Sequence, residues 1–220
     1  MLINLDKCIG CQTCVVACRQ HNAVPQGIWW LKFSDIAPNT KLNGTKNIPM
    51  QCQHCADPPC MKVCTTGATF VSAQDGTVQI DMDKCTGDTK CVTACPYNAR
   101  QIYTEFIAKS HPRQIHDCPD GKLFRYGWQN DHKREGKIVF SPKHALNKCE
   151  KCTFCIQRID NGQKPVCVDS CPVGARTFGD LSLTDSDITR QIKELKAVSY
   201  KAGETNCSPK IYYVLPKTNG

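Results

Sequence analysis

Apolar and polar residues alternate in only a few short stretches of the chain. "MLINLD" at 1–6 and "TVQIDMD" at 77–83 show the two-residue period of half-buried strands. "FVSAQDGTVQI" at 70–80 predicts a hairpin turned at Gln74-Asp75-Gly76. Later, "LTDSDITRQIKELKAVSY" sets Ile188, Ile192 and Leu195 at helical spacing behind a Thr184 or Ser186 cap. "KIYYVLP" predicts a last strand, ended by Pro216. No stretch reaches the ~18–20 consecutive apolar residues that a membrane-crossing helix needs.

These elements are too sparse to organise 220 residues by side-chain packing alone. Aromatic residues make up only 7% of the chain, and its mean hydropathy is −0.40. What stands out instead is 18 cysteines, a density that implies either disulfides or metal. The start "MLINLDKCIGC" lacks the basic region and apolar run of a signal peptide. The expected location is therefore the reducing cytosol, where thiolate–metal bonds persist and disulfides do not. Export of the folded chain alongside a signal-bearing partner is the alternative.

Fifteen cysteines fall into four runs. The first is Cys8-x2-Cys11-x2-Cys14-x3-Cys18, and the second Cys52-x2-Cys55-x4-Cys60-x3-Cys64. The third, Cys85-x2-Asp88-x2-Cys91-x3-Cys95-Pro96, has an aspartate where its second cysteine belongs. The fourth is Cys152-x2-Cys155-x11-Cys167-x3-Cys171-Pro172. The spacing Cys-x2-Cys-x2-Cys-x3-Cys is the ligand run of bacterial ferredoxins. Three thiolates wrap one iron–sulfur cluster, and the fourth, starting a helix, points to another. Such runs work in pairs, so four runs predict up to four clusters. Zinc would use two Cys-x2-Cys pairs per site and rarely a third evenly spaced cysteine, and a disulfide scaffold conflicts with a cytosolic start.

Charge supports the cluster reading. The formal net charge of +8 would suggest an anionic partner such as nucleic acid. Three 4Fe-4S cores with four thiolates each and one with three contribute about −7, which brings the balance to roughly +1. Arg19, Lys62, Arg100, Arg158 and Arg176, close to the runs, are candidates for offsetting cluster charge, against a plain reading as solvated residues. No nucleophile–base pair, phosphate loop or paired-carboxylate constellation stands out. The expected work is electron transfer without bond-making.

The order of the runs, with "CQHCADPPCMKVC", "ACPYNAR" and "KCTFCIQRIDNGQKPVCVDSCPVGAR", resembles the four-cluster iron–sulfur subunits of dimethyl-sulfoxide-reductase-type molybdenum or tungsten enzymes. Chain size and the ending "IYYV" look most like the small subunits of respiratory arsenate or polysulfide/thiosulfate reductases. The resemblance implies an α+β fold of tandem ferredoxin-like modules. Residues 1–50 and 149–180 would form the first and 51–100 the second, with a polar insertion at 101–148 and a helix–strand extension at 181–220. It implies Cys8, Cys11, Cys14 and Cys171 for cluster one, and Cys152, Cys155, Cys167 and Cys18 for cluster two. Cluster three would take Cys52, Cys55, Cys60 and Cys95. Cluster four would take Cys85, Asp88, Cys91 and Cys64, as a 4Fe-4S cluster with Asp88 as ligand or as 3Fe-4S. The implied partners are a large molybdopterin-containing catalytic subunit, near clusters one and two, and a quinone-reactive membrane subunit or soluble carrier at the far end. A free-standing polyferredoxin is the rival reading. Of the remaining cysteines, Cys149 is expected as a small residue near a cluster, though Cys149-x2-Cys152-x2-Cys155 also mimics a ligand triple. Cys207 is expected to be structural, and Cys118 is a loop thiol or a substitute ligand for cluster four.

Overall fold

Twelve strands of two to four residues and seven helices alternate along the described residues, which are 1–35, 48–110, 130–202 and 206–216 of this computed structural model. In chain order these are β1 (Leu2–Asn4), α1 (Thr13–His21), β2 (Leu31–Ser34), β3 (Ile48–Gln51), α2 (Pro59–Lys62), β4 (Thr69–Val71), β5 (Val78–Ile80) and α3 (Lys90–Thr93). Then follow β6 (Gln101–Tyr103), α4 (Glu105–Ser110), β7 (His132–Arg134), β8 (Lys137–Phe140), β9 (Lys148–Glu150), α5 (Ile156–Ile159) and α6 (Val166–Asp169). The last are β10 (Arg176–Thr177), α7 (Asp187–Glu194), β11 (Val198–Ser199) and β12 (Tyr212–Val214).

The elements are short because each cysteine run needs left-handed backbone that no regular element tolerates. The residue before the second ligand position has positive φ in every run: Gly10 (68°), His54 (45°), Gly87 (73°) and Phe154 (60°). Only glycine adopts this region without a steric cost, so His54 and Phe154 carry strain that their surroundings must hold. Their rings stack on one another, 3.7 Å between centroids.

The hairpin foreseen at 70–80 forms from β4 and β5, with Phe70 opposite Gln79 and Gly76 at φ 67° in the turn. β1 is central in a four-stranded sheet of order β10-β1-β12-β11, parallel to β12 and antiparallel to β10. α7 is capped by Ser186, whose hydroxyl accepts from the Thr189 amide, so the cap is Ser186 and not Thr184. Ile188, 1% exposed, packs with Leu2 and Val214; truncating such a residue to alanine costs about 2–5 kcal/mol. Leu195 departs from the expected face: it follows the last turn of α7 and is exposed.

Pairing between distant segments sets the frame. α1 packs on α6, joining runs one and four, and α2 packs on α3, joining runs two and three. β6 pairs antiparallel with β9, so Cys149 lies opposite Ile102 and the segment between returns to its starting point. Within that segment, Arg134 is buried and donates to Asp75 (2.6 Å) and Asp160, tying β7 both to the 72–76 turn and to run four. Cys118, His111 and His116, also in that segment, lie outside the described residues. The thiols belong to the core itself: Cys14, Cys18, Cys52, Cys55 and Cys167 pack in the main apolar cluster, and Cys60, Cys85, Cys91 and Cys149 in a second.

Candidate iron–sulfur centres

Four groups of acidic ligand atoms gather, each drawn from two runs. One cavity is lined by Cys8, Cys11 and Cys14 of run one together with Cys171 of run four, with Arg176 beside them. A second is lined by Cys52, Cys55 and Cys60 of run two with Cys95 of run three, again with an arginine, Arg100. In a third group, Cys18 of run one faces Cys152, Cys155 and Cys167 of run four. The Asn22 amide binds this group together, its Nδ2 lying 3.6 Å from both Cys18 Sγ and Cys155 Sγ.

The fourth group is looser. Asp88 reaches toward run two: its Oδ2 accepts from the Thr65 hydroxyl (2.6 Å), and Thr65 adjoins Cys64. Its Oδ1 faces the Lys90 amide at 3.3 Å. Cys91 feels the charge of Asp88. Cys85 accepts from the Cys149 amide (3.4 Å) and Cys64 from the Thr69 amide (3.4 Å). Backbone amides also bond Cys152, from Phe154 (3.4 Å), and Cys171, from Ala175 (3.3 Å). Amide bonds to sulfur favour the thiolate and tune any cluster it holds.

The chemistry of these groups fits iron–sulfur clusters. Burial and then repulsion from neighbouring sulfurs push Cys18 and Cys152 well above the ordinary thiol range, and burial first pushes Cys155 up to about 12. Four desolvated, mutually repelling thiols are a poor arrangement without a cation to deprotonate and bind them. Buried arginines point the same way. Arg100 Nε and Nη2 and Arg176 Nη2 are enclosed without a hydrogen-bond partner. Burial disfavours the charge of Arg100, but Cys149, Cys60, Cys52 and Cys91 more than offset it and hold its pKa above the usual value. Such donors await acceptors that cluster sulfides supply. Among the described residues no three His, Cys, Asp or Glu side chains converge at the spacing of a single metal ion, and no disulfide joins the described cysteines.

The five basic residues flagged by sequence therefore divide. Arg100 and Arg176 are buried against sulfur, Arg176 Nη1 lying 3.8 Å from Cys167 Sγ. Lys62 pairs with Asp57 in solvent, Arg158 pairs with Asp169, and Arg19 donates to the Pro25 and Ile28 carbonyls beside Trp29. Both buried arginines occupy the last position of a Cys-Pro-x-x-Ala-Arg segment, Cys95 to Arg100 and Cys171 to Arg176. Sequence reasoning passed over Lys151, which is fully enclosed between two groups and donates to the Val78 and Cys152 carbonyls. It immediately precedes the ligand Cys152 in "CEKCTFC", and its charge had no visible partner in the sequence. Cys207 meets the Tyr97 hydroxyl at 3.1 Å, away from the Asp88 group.

The rims of the groups differ. Around Cys11, which is exposed, stand the exposed Ile9 and Val173 together with the exposed Gln12 and Thr13. Around Asp88 stand Thr65, Thr66, Thr86 and Lys90, all exposed and polar.

Comparison with known proteins follows the same lines. The family described as a 4Fe-4S dicluster domain matches residues 45–111 and 137–181, and a 4Fe-4S binding domain matches residues 1–20. The chain is 34% identical to a putative dimethyl sulfoxide reductase iron–sulfur subunit of Halobacterium salinarum, over 97% of this chain and 78% of the relative. It is 34% identical to the arsenate respiratory reductase iron–sulfur subunit of a Shewanella species, over 97% and 94%. It is 31% identical to a tetrathionate reductase subunit of Salmonella typhimurium, over 97% and 71%.

Proposed function

We infer that this chain, which belongs to the family of iron–sulfur electron-transfer subunits of dimethyl-sulfoxide-reductase-type oxidoreductases, carries four clusters as a wire inside a larger reductase complex. Cysteines 8, 11, 14 and 171 hold cluster one; 152, 155, 167 and 18 hold cluster two; 52, 55, 60 and 95 hold cluster three. Cys85, Cys91, Cys64 and Asp88 hold cluster four, with the carboxylate on one iron of a 4Fe-4S cluster or beside the open corner of a 3Fe-4S cluster. The observation that carries this reading is the mixed origin of each cavity, three thiols from one run and the fourth from another.

When bound, such clusters accept and release single electrons. The chain's own residues keep them dry, orient their ligands by amide bonds, and balance their charge with Arg100, Arg176 and Lys151. Interlocked ferredoxin-like modules account for this arrangement, one from runs one and four and the other from runs two and three. The exposed Ile9 and Val173 beside Cys11 suit an interface with a molybdopterin-containing catalytic subunit. The polar rim around Asp88 suits exchange with a second redox partner, either a quinone-reactive membrane subunit or a soluble carrier. No described helix is long and apolar enough to cross a membrane.

Anaerobic purification of the natural complex tests this. Iron and acid-labile sulfide matching four clusters, co-purifying with a large molybdopterin chain, is the expected result. A stable monomer with four clusters and no large partner would leave the polyferredoxin reading standing. A colourless zinc protein would overturn both.

A further inference from the structure

We propose that Cys149, outside the ligand set, is a positioning residue that sets the potential of cluster four by donating hydrogen bonds to two of its ligands. It is 1% exposed on β9. Its amide donates to Cys85 Sγ (3.4 Å), and its own Sγ lies 3.7 Å from Cys91 Sγ. Once Cys91 is a thiolate on iron, its sulfur has no hydrogen to give, so Cys149 S–H is the donor of that contact. Arg100 Nη1 in turn donates to Cys149 Sγ (3.6 Å) and to Thr69 Oγ1 (3.0 Å), and the Thr69 amide donates to Cys64 Sγ. One buried unit, Arg100, Cys149 and Thr69, thus places one donor on each cysteine ligand of cluster four, while Asp88 closes its solvent side.

The same contact bears on the other reading of this cysteine, as the first member of a Cys149-x2-Cys152-x2-Cys155 triple: its Sγ lies against Cys91 of run three, whereas Cys152 and Cys155 gather with Cys18 and Cys167. Runs one and four offer a parallel: Arg176 reaches Cys167, at the third ligand position of its run. Arg100 donates to Cys149 and also acts on Cys91, at the third ligand position of its own run. Each bond to a ligand sulfur withdraws electron density and favours the reduced, more negative cluster.

This inference rests on the four-cluster reading, which iron content in the unaltered protein tests separately. Redox titration followed by electron paramagnetic resonance, with iron analysis, on the Cys149→Ala and Cys149→Ser proteins decides it. The alanine variant is expected to keep its iron while one cluster becomes several-fold to tenfold harder to reduce, tenfold being about 59 mV for one electron. The other three signals stay in place, and serine, which keeps a donor of similar size, recovers most of the loss. Unchanged potentials in both variants would overturn the proposal. So would loss of iron from one cluster in the alanine variant, which would make Cys149 a ligand.

Discussion

The loops of runs one and three share a backbone and differ in nearly everything they display. Gly10 and Gly87 have φ of 68° and 73°, and Gln12 and Thr89 follow at 59° and 65°. On that common curve stand Ile9 against Thr86, Cys11 against Asp88, and Thr13 against Lys90. The loop geometry is thus independent of the second ligand: it survives replacement of a thiol by a carboxylate. What varies is the chemistry offered outward: an exposed isoleucine and thiol in one loop, a threonine, a carboxylate and a lysine in the other. The scaffold fixes where a cluster goes, and the side chains fix what it meets and how easily it is reduced.

The buried arginines offer the sharpest way to break the comparison. Arg100→Met and Arg176→Met should each remove about 3–5 kcal/mol of stability, because each strands buried negative charge. Denaturation of the cluster-loaded protein measures the loss. Redox titration should show Arg176→Met lowering the potential of clusters held by Cys14 and Cys167, and Arg100→Met those held by Cys52, Cys60 and Cys91. Equal effects on all four clusters would deny the two halves their separate charge balance.

Gly87 provides the next largest effect. An added Cβ would run into the Asn147 carbonyl, whereas one at Gly174, φ 58°, meets nothing within 4 Å. Gly174→Ala should cost about 1–2 kcal/mol, the strain of left-handed backbone alone. Gly87→Ala must also push back the segment leading to Cys149, so it should cost more and alter the cluster-four signal. Identical thermal shifts for the two would show that the approach of Asn147 is not tight.

A reciprocal exchange tests the ligand itself. Asp88→Cys should change the spectrum and potential of one cluster, with little effect on stability. Cys11→Asp should give a second cluster of the aspartate kind at the other end. A full set of unaltered signals in Asp88→Cys would make the carboxylate a bystander.

The smallest effect expected is a pH dependence. His144 is buried between Glu150 Oε1 (3.1 Å) and the Asn22 carbonyl (2.8 Å), at the end of the run-one helix. Burial opposes its charge, but Glu150 outweighs burial and raises its pKa above the ordinary histidine value. A raised folded value means the stabilisation is complete below the unfolded pKa, ~6.5, and fades as pH rises through the higher folded one. Unfolding curves across that window should weaken with rising pH, and His144→Gln should flatten the trend.

Much of the site could be read from the chain because ligand spacing is local. Gly10 and Gly87 mark their turns, and Ser186 its helix. What spacing could not show is anything that depends on pairing across long intervals. The position of Cys149 follows from β6 meeting β9 over an intervening segment, so its contact with Cys91 has no local signature. Lys151 and the paired arginines are similar, since a buried cation is recognised only by the sulfurs that surround it. Leu195 failed for another reason: helical periodicity continues one residue beyond the turn that ends α7.

The parallel pairing of β1 with β12, Leu2 opposite Tyr212, bears on the order in which the molecule can be made. The cavity of Cys8, Cys11, Cys14 and Cys171 sits against a sheet whose strands come from opposite ends of the sequence, so its closure waits on nearly the whole chain and carries the entropy of a long loop. Runs two and three lie within one short interval and can meet much earlier. Folding would then bring runs two and three together before it closes the pairing of run one with run four.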